Sequence, residues 1–157
     1  MINSKFHLAQ MNVSKALYAL DDPRMAGFVA ELDVLNAVAD DSPGFVWRLK
    51  SETGGASSYV QAFDDPRMLV NLTVWTSLDL LEAYTYGSAH RNVLRDRRQW
   101  FEPPTGPTFA LWWTPAGELP TVADGMARLA HLSADGPSPF AFTFKKRFPA
   151  PLAGVQG

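Results

Sequence analysis

The run Leu69–Trp75 constrains this chain more than any other segment, because its alternation specifies two different faces. Side chains two apart on a strand share a face, so Val70, Leu72 and Val74 form an aliphatic side and Asn71, Thr73 and Trp75 the other. The aliphatic side suits packing beneath helices. A face that mixes an amide, a hydroxyl and an indole is a poor core and a good pocket wall.

Phe6–Val13 repeats the pattern, with Leu8, Gln10 and Asn12 opposite Ala9, Met11 and Val13. If both polar faces look into one enclosure, Asn12, Asn71 and Trp75 approach one another. On an uncovered sheet the two asparagines would instead sit in solvent.

Between these strands, Asp22 reads as a helix N-cap with Pro23 at the first helical position. Met25, Phe28, Val29, Leu32 and Leu35 follow at helical spacing, and Asp41-Ser42-Pro43-Gly44 stops the helix. Phe45–Lys50 reads as a second strand. The segment Glu52-Thr53-Gly54-Gly55 and Ser57–Phe63 reads as a hairpin leading into Leu69–Trp75.

A helical stretch runs from Leu78 to about Trp100, interruptible at Gly87-Ser88, before the proline-rich 103–107. Phe109–Thr114 is a fourth strand, Thr121–Leu132 a shorter helix and Phe140–Phe144 a last strand.

That order is β-α-β-β-α-β with a helix and strand appended, which predicts an α+β, ferredoxin-like fold with an antiparallel sheet. Residues 1–148 form the expected single domain, and 149–157 a frayed tail. If the helices cover one sheet face, the other needs cover too. A second identical chain packed face to face would supply it, closing a dimeric α+β barrel, so a homodimer is expected.

The pentad Asp-Asp-Pro-Arg-Met occurs at 21–25 and again at 64–68, with unlike flanks. Reused turn chemistry explains it better than duplication.

Composition removes several classes of function. The 157 residues suit one core rather than two. Hydrophobic residues at 46% and charged residues at 19% predict a packed chain rather than a disordered one. Net charge is -2, and Asp96 and Glu102 dilute the densest basic group, Arg91, Arg95, Arg97 and Arg98, so no nucleic-acid partner is expected. The absence of cysteine excludes disulfides, thiolate metal sites and a cysteine nucleophile.

His7, His90 and His131 show no zinc-ligand spacing, and no metal is expected. No apolar run approaches the roughly 20 residues that span a bilayer. The alternating start does not read as a secretion signal. No membrane partner and a cytoplasmic location are therefore the expectation.

Among single residues, His90 follows Tyr86 at helical spacing and is a candidate general base; a surface or capping role is the alternative. Arg48 is a candidate for binding an anionic group, or a surface ion pair. Trp112 and Trp113 are adjacent on a strand and face opposite sides, so one is core and the other lines a pocket or interface. Trp47 and Trp100 read as core.

Leu72-Thr73-Val74-Trp75-Thr76-Ser77 followed by Ser88-Ala89-His90 resembles the dimeric α+β barrel superfamily, which includes antibiotic-biosynthesis and haem-degrading monooxygenases. More narrowly, Pro43-Gly44-Phe45-Val46-Trp47-Arg48-Leu49, Leu111-Trp112-Trp113-Thr114-Pro115-Ala116-Gly117 and Gly136-Pro137 are similar to a bacterial family of uncharacterised proteins.

The resemblance to cofactor-free anthrone oxygenases implies that Asn71 and Trp75 hydrogen-bond a developing substrate oxyanion, with His90 as candidate base and no cofactor. Asn12, Arg48, Thr73, Tyr86, Trp112 and Trp113 would then complete a pocket for an aromatic or polyketide-like ligand. An isomerase or cyclase would use the same wall. The resemblance to the haem-degrading branch implies instead that His90 ligates a haem iron beside Asn12 and Trp75. A non-catalytic ligand-binding dimer is the third reading.

Overall fold

The computed structural model describes residues 5–50, 65, 67–87, 91 and 95–151. Four strands, β1 (Phe6–Lys15), β2 (Phe45–Arg48), β3 (Met68–Trp75) and β4 (Phe109–Pro115), form one antiparallel sheet in the order β2-β3-β1-β4. Helix α1 (Ala26–Asp41) connects β1 to β2, α2 (Leu78–Thr85) follows β3, and α3 (Val122–Asp135) follows β4. Strand order and connection order together are the split βαβ arrangement of a ferredoxin-like α+β fold. No helix among the described residues is long and apolar enough to cross a membrane.

Local chemistry sets the element ends. Asp22 accepts the Arg24 N–H at 2.9 Å and starts a 3-10 turn at Pro23–Met25, from which α1 continues. In the second pentad Asp65 accepts the Arg67 N–H, also at 2.9 Å. Both copies thus make the same two-residue Asx turn. Ser77 caps α2 through the Leu80 N–H, and Thr121 with Asp124 forms a reciprocal capping box on α3.

Helix α2 ends at Thr85, the interruption expected near Gly87, and among the described residues beyond it Arg91, Arg95 and Asp96 are helical again. The Gly87 N–H tightens its last turn onto the Tyr84 carbonyl at 3.2 Å, and neither Thr85 nor Gly87 favours continuation. The hairpin expected over 52–63 and the tail from 152 lie outside the described residues.

The aliphatic face packs beneath a helix and the mixed face walls a cavity, as the alternation predicts, but different helices cover the two. The aliphatic side of the sheet, with Met11, Val70, Leu72, Ala110 and Trp112, packs against Leu129 and Leu132 of α3. Contact there is close: a Cβ on Gly125 would overlap the Met11 sulfur and sit 2.7 Å from its Cε. Helices α1 and α2 cover the opposite, mixed-polarity side, with Leu8, Trp75 and Leu111 of the sheet meeting Leu81 of α2. The aliphatic face is therefore covered by α3 and the mixed face by α1 and α2, all within the chain.

Beyond α3 the chain wraps the outer edge of β4. His131 bridges Ser138 and Asp135 at the turn. Phe142 then exchanges two backbone hydrogen bonds with Leu111, at 2.8 and 2.9 Å. These are isolated bridges rather than the strand expected over 140–144. The segment continues onto the α2 side of the sheet. Arg147 pairs with Glu82 and Asp79 of α2, and the Phe148 carbonyl accepts the Trp113 indole N–H at 2.8 Å.

Candidate functional site

The polar face of the sheet meets its helices incompletely. Between that face and α1 and α2 lies a cavity of about 500 Å³, the size of a drug-like ligand site. Its position differs from expectation as well: it lies between sheet and helices of one chain, not between two sheets.

The floor is a ladder of uncharged polar side chains. Asn12 and Asn71 are direct partners across β1 and β3, and Gln10 and Thr73 are the next pair on that face. Arg48 of β2 adjoins Thr73 on the other side. All five line the cavity. The roof is mostly apolar, built from Phe28, Leu32, Leu35 and Ala39 of α1 with Leu81 of α2, and Asn36 of α1 adds one amide to it.

Tyr84 closes one side, its hydroxyl donating to the Leu35 carbonyl at 3.1 Å and so joining α2 to α1. At the rim, the Phe144 ring lies 5.3 Å from Phe109 and 5.9 Å from the exposed Tyr86.

The floor's hydrogen bonding is unequal. Trp75 donates its indole N–H to Thr73 Oγ1 at 2.9 Å, and Thr73 donates to Gln10 Oε1 at 2.8 Å. The side-chain amides of Asn12 and Asn71 make no hydrogen bond among the described residues. Arg48 is 8% exposed and forks onto Asp40, with Nε at 2.9 Å and Nη2 at 3.3 Å. That hydrogen bond holds the Asp40 carboxyl below its ordinary value, against a smaller desolvation effect.

Of the two sequence readings of Arg48, the ion pair is present, and the residue also contributes to the wall. Burial pushes the Tyr84 phenol up to about 12, so it is neutral across the physiological range and is no base there.

The remaining candidates divide. Trp75 is on the expected face, but it is fully buried, wedged between Phe45 at 5.4 Å and Tyr84 at 5.1 Å, and is not part of the cavity lining. Trp112 packs under α3 on the opposite side of the sheet. Trp113 faces the α2 side, but its N–H is held by Phe148 and it too is outside the lining.

His90 lies outside the described residues. Gln10 and Phe144 line the cavity and were not singled out as site residues. The signal for Gln10 was present, since it shares a strand face with Asn12. Phe144 carries no local signal, because its place follows from the wrap around β4.

Chemically, the wall can hold an apolar ring system under α1 and present neutral donors to an oxygen on it. The haem reading turns on His90 as iron ligand, and that residue lies outside the described ones. No group of three or more metal-ligating side chains occurs among the described residues.

A comparison with curated proteins finds no sequence match. Among solved structures, the chain is similar to SnoaB, a cofactor-independent oxygenase from Streptomyces nogalater. Identity there is 19%, over 73% of this chain and 98% of that one, with a TM-score of 0.47.

It is also similar to a Nitrosomonas europaea protein provisionally described as an antibiotic biosynthesis monooxygenase. That likeness has 12% identity, 76% and 95% coverage and a TM-score of 0.45. A conserved protein from Methanosarcina mazei is similar at 9% identity, 71% and 93% coverage and a TM-score of 0.47. Residues 7–156 match the family described as a domain of unknown function, DUF3291, and the chain belongs to that family.

Proposed function

We propose that the protein is a cofactor-independent oxygenase acting on an aromatic or polyketide-like substrate that carries an acidic C–H beside a carbonyl. The observation that carries this reading is the cavity floor, where Asn12 and Asn71 are cross-strand neighbours whose amides make no hydrogen bond among the described residues, beneath a mostly apolar roof. Neutral N–H donors aimed at one region stabilise charge that develops on an oxygen. They do so without the full cation that a carboxylate or phosphate would call for.

In the proposed reaction the substrate CH2 loses a proton, and its negative charge delocalises onto the carbonyl oxygen under Asn12 and Asn71. The carbanion passes one electron to dioxygen, the radical pair joins as a peroxide anion at that carbon, and the protonated base returns its proton to give the hydroperoxide. Loss of water leaves a second carbonyl, so one oxygen atom is retained and the other departs in water. His90 is the base proposed from sequence order alone. The same enolate without oxygen would serve an isomerase or cyclase.

An oxygen electrode tests it, with 1,8-dihydroxy-9-anthrone in chelator-treated buffer. Uptake above the non-enzymatic rate, with quinone formed, is expected. The double variant Asn12→Ala, Asn71→Ala should be slower by a factor of about ten or more. An unchanged rate in that variant, or no uptake above background, would sink the proposal.

A further inference from the structure

We infer that Gln10 is the buried hydrogen-bond donor offered to the ligand's oxygen, and that Thr73 and Trp75 are positioning residues fixing which end of its amide faces the cavity. The ligand's identity as an aromatic ketone or its enolate rests on the reading above; the donor assignment stands on the hydrogen bonds alone.

An indole N–H only donates, so Thr73 Oγ1 must accept from Trp75 across their 2.9 Å contact. A hydroxyl has one proton to give, and the Thr73 proton goes to Gln10 Oε1 at 2.8 Å. Turning the Gln10 amide over would aim two donors at Thr73 Oγ1 and leave its proton without an acceptor among the described residues. The chain of bonds therefore runs one way and resolves the usual ambiguity between amide oxygen and nitrogen.

Gln10 Nε2 then carries two N–H groups with no hydrogen bond among the described residues, on a side chain that is 4% exposed and lines the cavity. Buried donors of this kind are normally satisfied. Gln10 sits on β1, the second strand in from its edge of the sheet, between Thr73 and Leu111 and one row from Asn12 and Asn71.

Three amides thus share one wall, while Asp40 pairs with the buried cation Arg48 and the other cation of the lining, Arg97, is exposed. This favours a carbonyl or a delocalised oxyanion over a carboxylate or phosphate. Trp75, fully buried with its only donor committed to Thr73, acts through Gln10 rather than on the ligand.

The test is a pair of anaerobic titrations followed by tryptophan fluorescence, with anthrone and with 9,10-dihydroanthracene, which has the same ring frame and no oxygen. Wild type should prefer anthrone by about tenfold. Gln10→Met should abolish that preference while leaving dihydroanthracene affinity unchanged. Trp75→Phe and Thr73→Val should lower it partway, and Thr73→Ser, which keeps the hydroxyl, should restore it.

A general loosening of the cavity would weaken both ligands together and leave the ratio intact. Should Gln10→Met fail to fold, the isosteric Gln10→Glu decides, since it replaces the donors by an acceptor and must likewise lose the preference. Equal affinity of wild type for the two compounds, binding of neither, or a preference that survives at residue 10 overturns the inference. With no oxygen present, the result is independent of whether the protein is an oxygenase.

Discussion

The two faces of the sheet are built from the same three strands and do opposite things. Under α3, Met11, Leu72 and Trp112 meet Leu129 and Leu132 so closely that only glycine fits at position 125 without displacing Met11. Under α1 and α2, the corresponding positions are Gln10, Asn12, Asn71 and Thr73, and a cavity is left above them. One face maximises apolar burial, while the other keeps in a sheltered place amide donors that make no hydrogen bond among the described residues. The contrast teaches that stability and binding are separated here by the pleat itself, one residue apart along each strand.

The contrast can be broken most severely at the far face. Trp112→Ala should lower unfolding free energy by about 3–5 kcal/mol, read as a fall in the urea midpoint. Gly125→Ala should cost about 1–3 kcal/mol by overpacking against Met11. A value near zero would show that α3 rides loosely on the sheet.

On the cavity side Tyr84 sharpens the comparison through pH. Its folded pKa of about 12 lies above the ordinary 10, so the stability it adds is fully present below pH 10 and fades as pH rises toward 12. Alkaline absorbance titration should show a late-titrating tyrosinate that disappears in Tyr84→Phe.

The Arg48–Asp40 pair has the opposite sign. With the Asp40 pKa lowered from 3.8, its contribution is present above that value and is lost as pH falls through the lowered one. Asp40 is partly exposed, so Asp40→Asn should cost no more than about 1 kcal/mol near neutrality, by urea unfolding. Asn71→Leu should have the smallest effect on stability, within about 0.5 kcal/mol or slightly stabilising, because it removes an amide that makes no hydrogen bond among the described residues. A large loss would mean that Asn71 supports the fold rather than a ligand.

Much of this was legible in the sequence because it is local. Period-two alternation located β1 and β3, and Asp22, Ser42 and Thr121 lie at helix ends. The same alternation put Asn12 and Asn71 on one face. What escaped depends on partners distant in sequence. Nothing around Leu72 says whether α1 or α3 will cover it; that is decided by the fit of Gly125 to Met11. The place of Trp75 was misjudged because a hydroxyl two residues earlier, Thr73, captures its N–H. Gln10 looked like one polar residue among several until the direction of that bond made it the donor.

Because β1 lies inside the sheet, it has consequences for how the chain reaches its fold. Leu8 is matched to Trp75 on one side and Trp113 on the other, so the first strand synthesised waits for the third and fourth. Contacts so distant along the chain are slow to form and give no early reward. Until β4 and α3 emerge, Ala9 and Met11 present an apolar strand with unpaired edges, the kind of segment that other chains can capture. The price of a sealed far face is a nascent chain that needs most of its length before it is safe from aggregation.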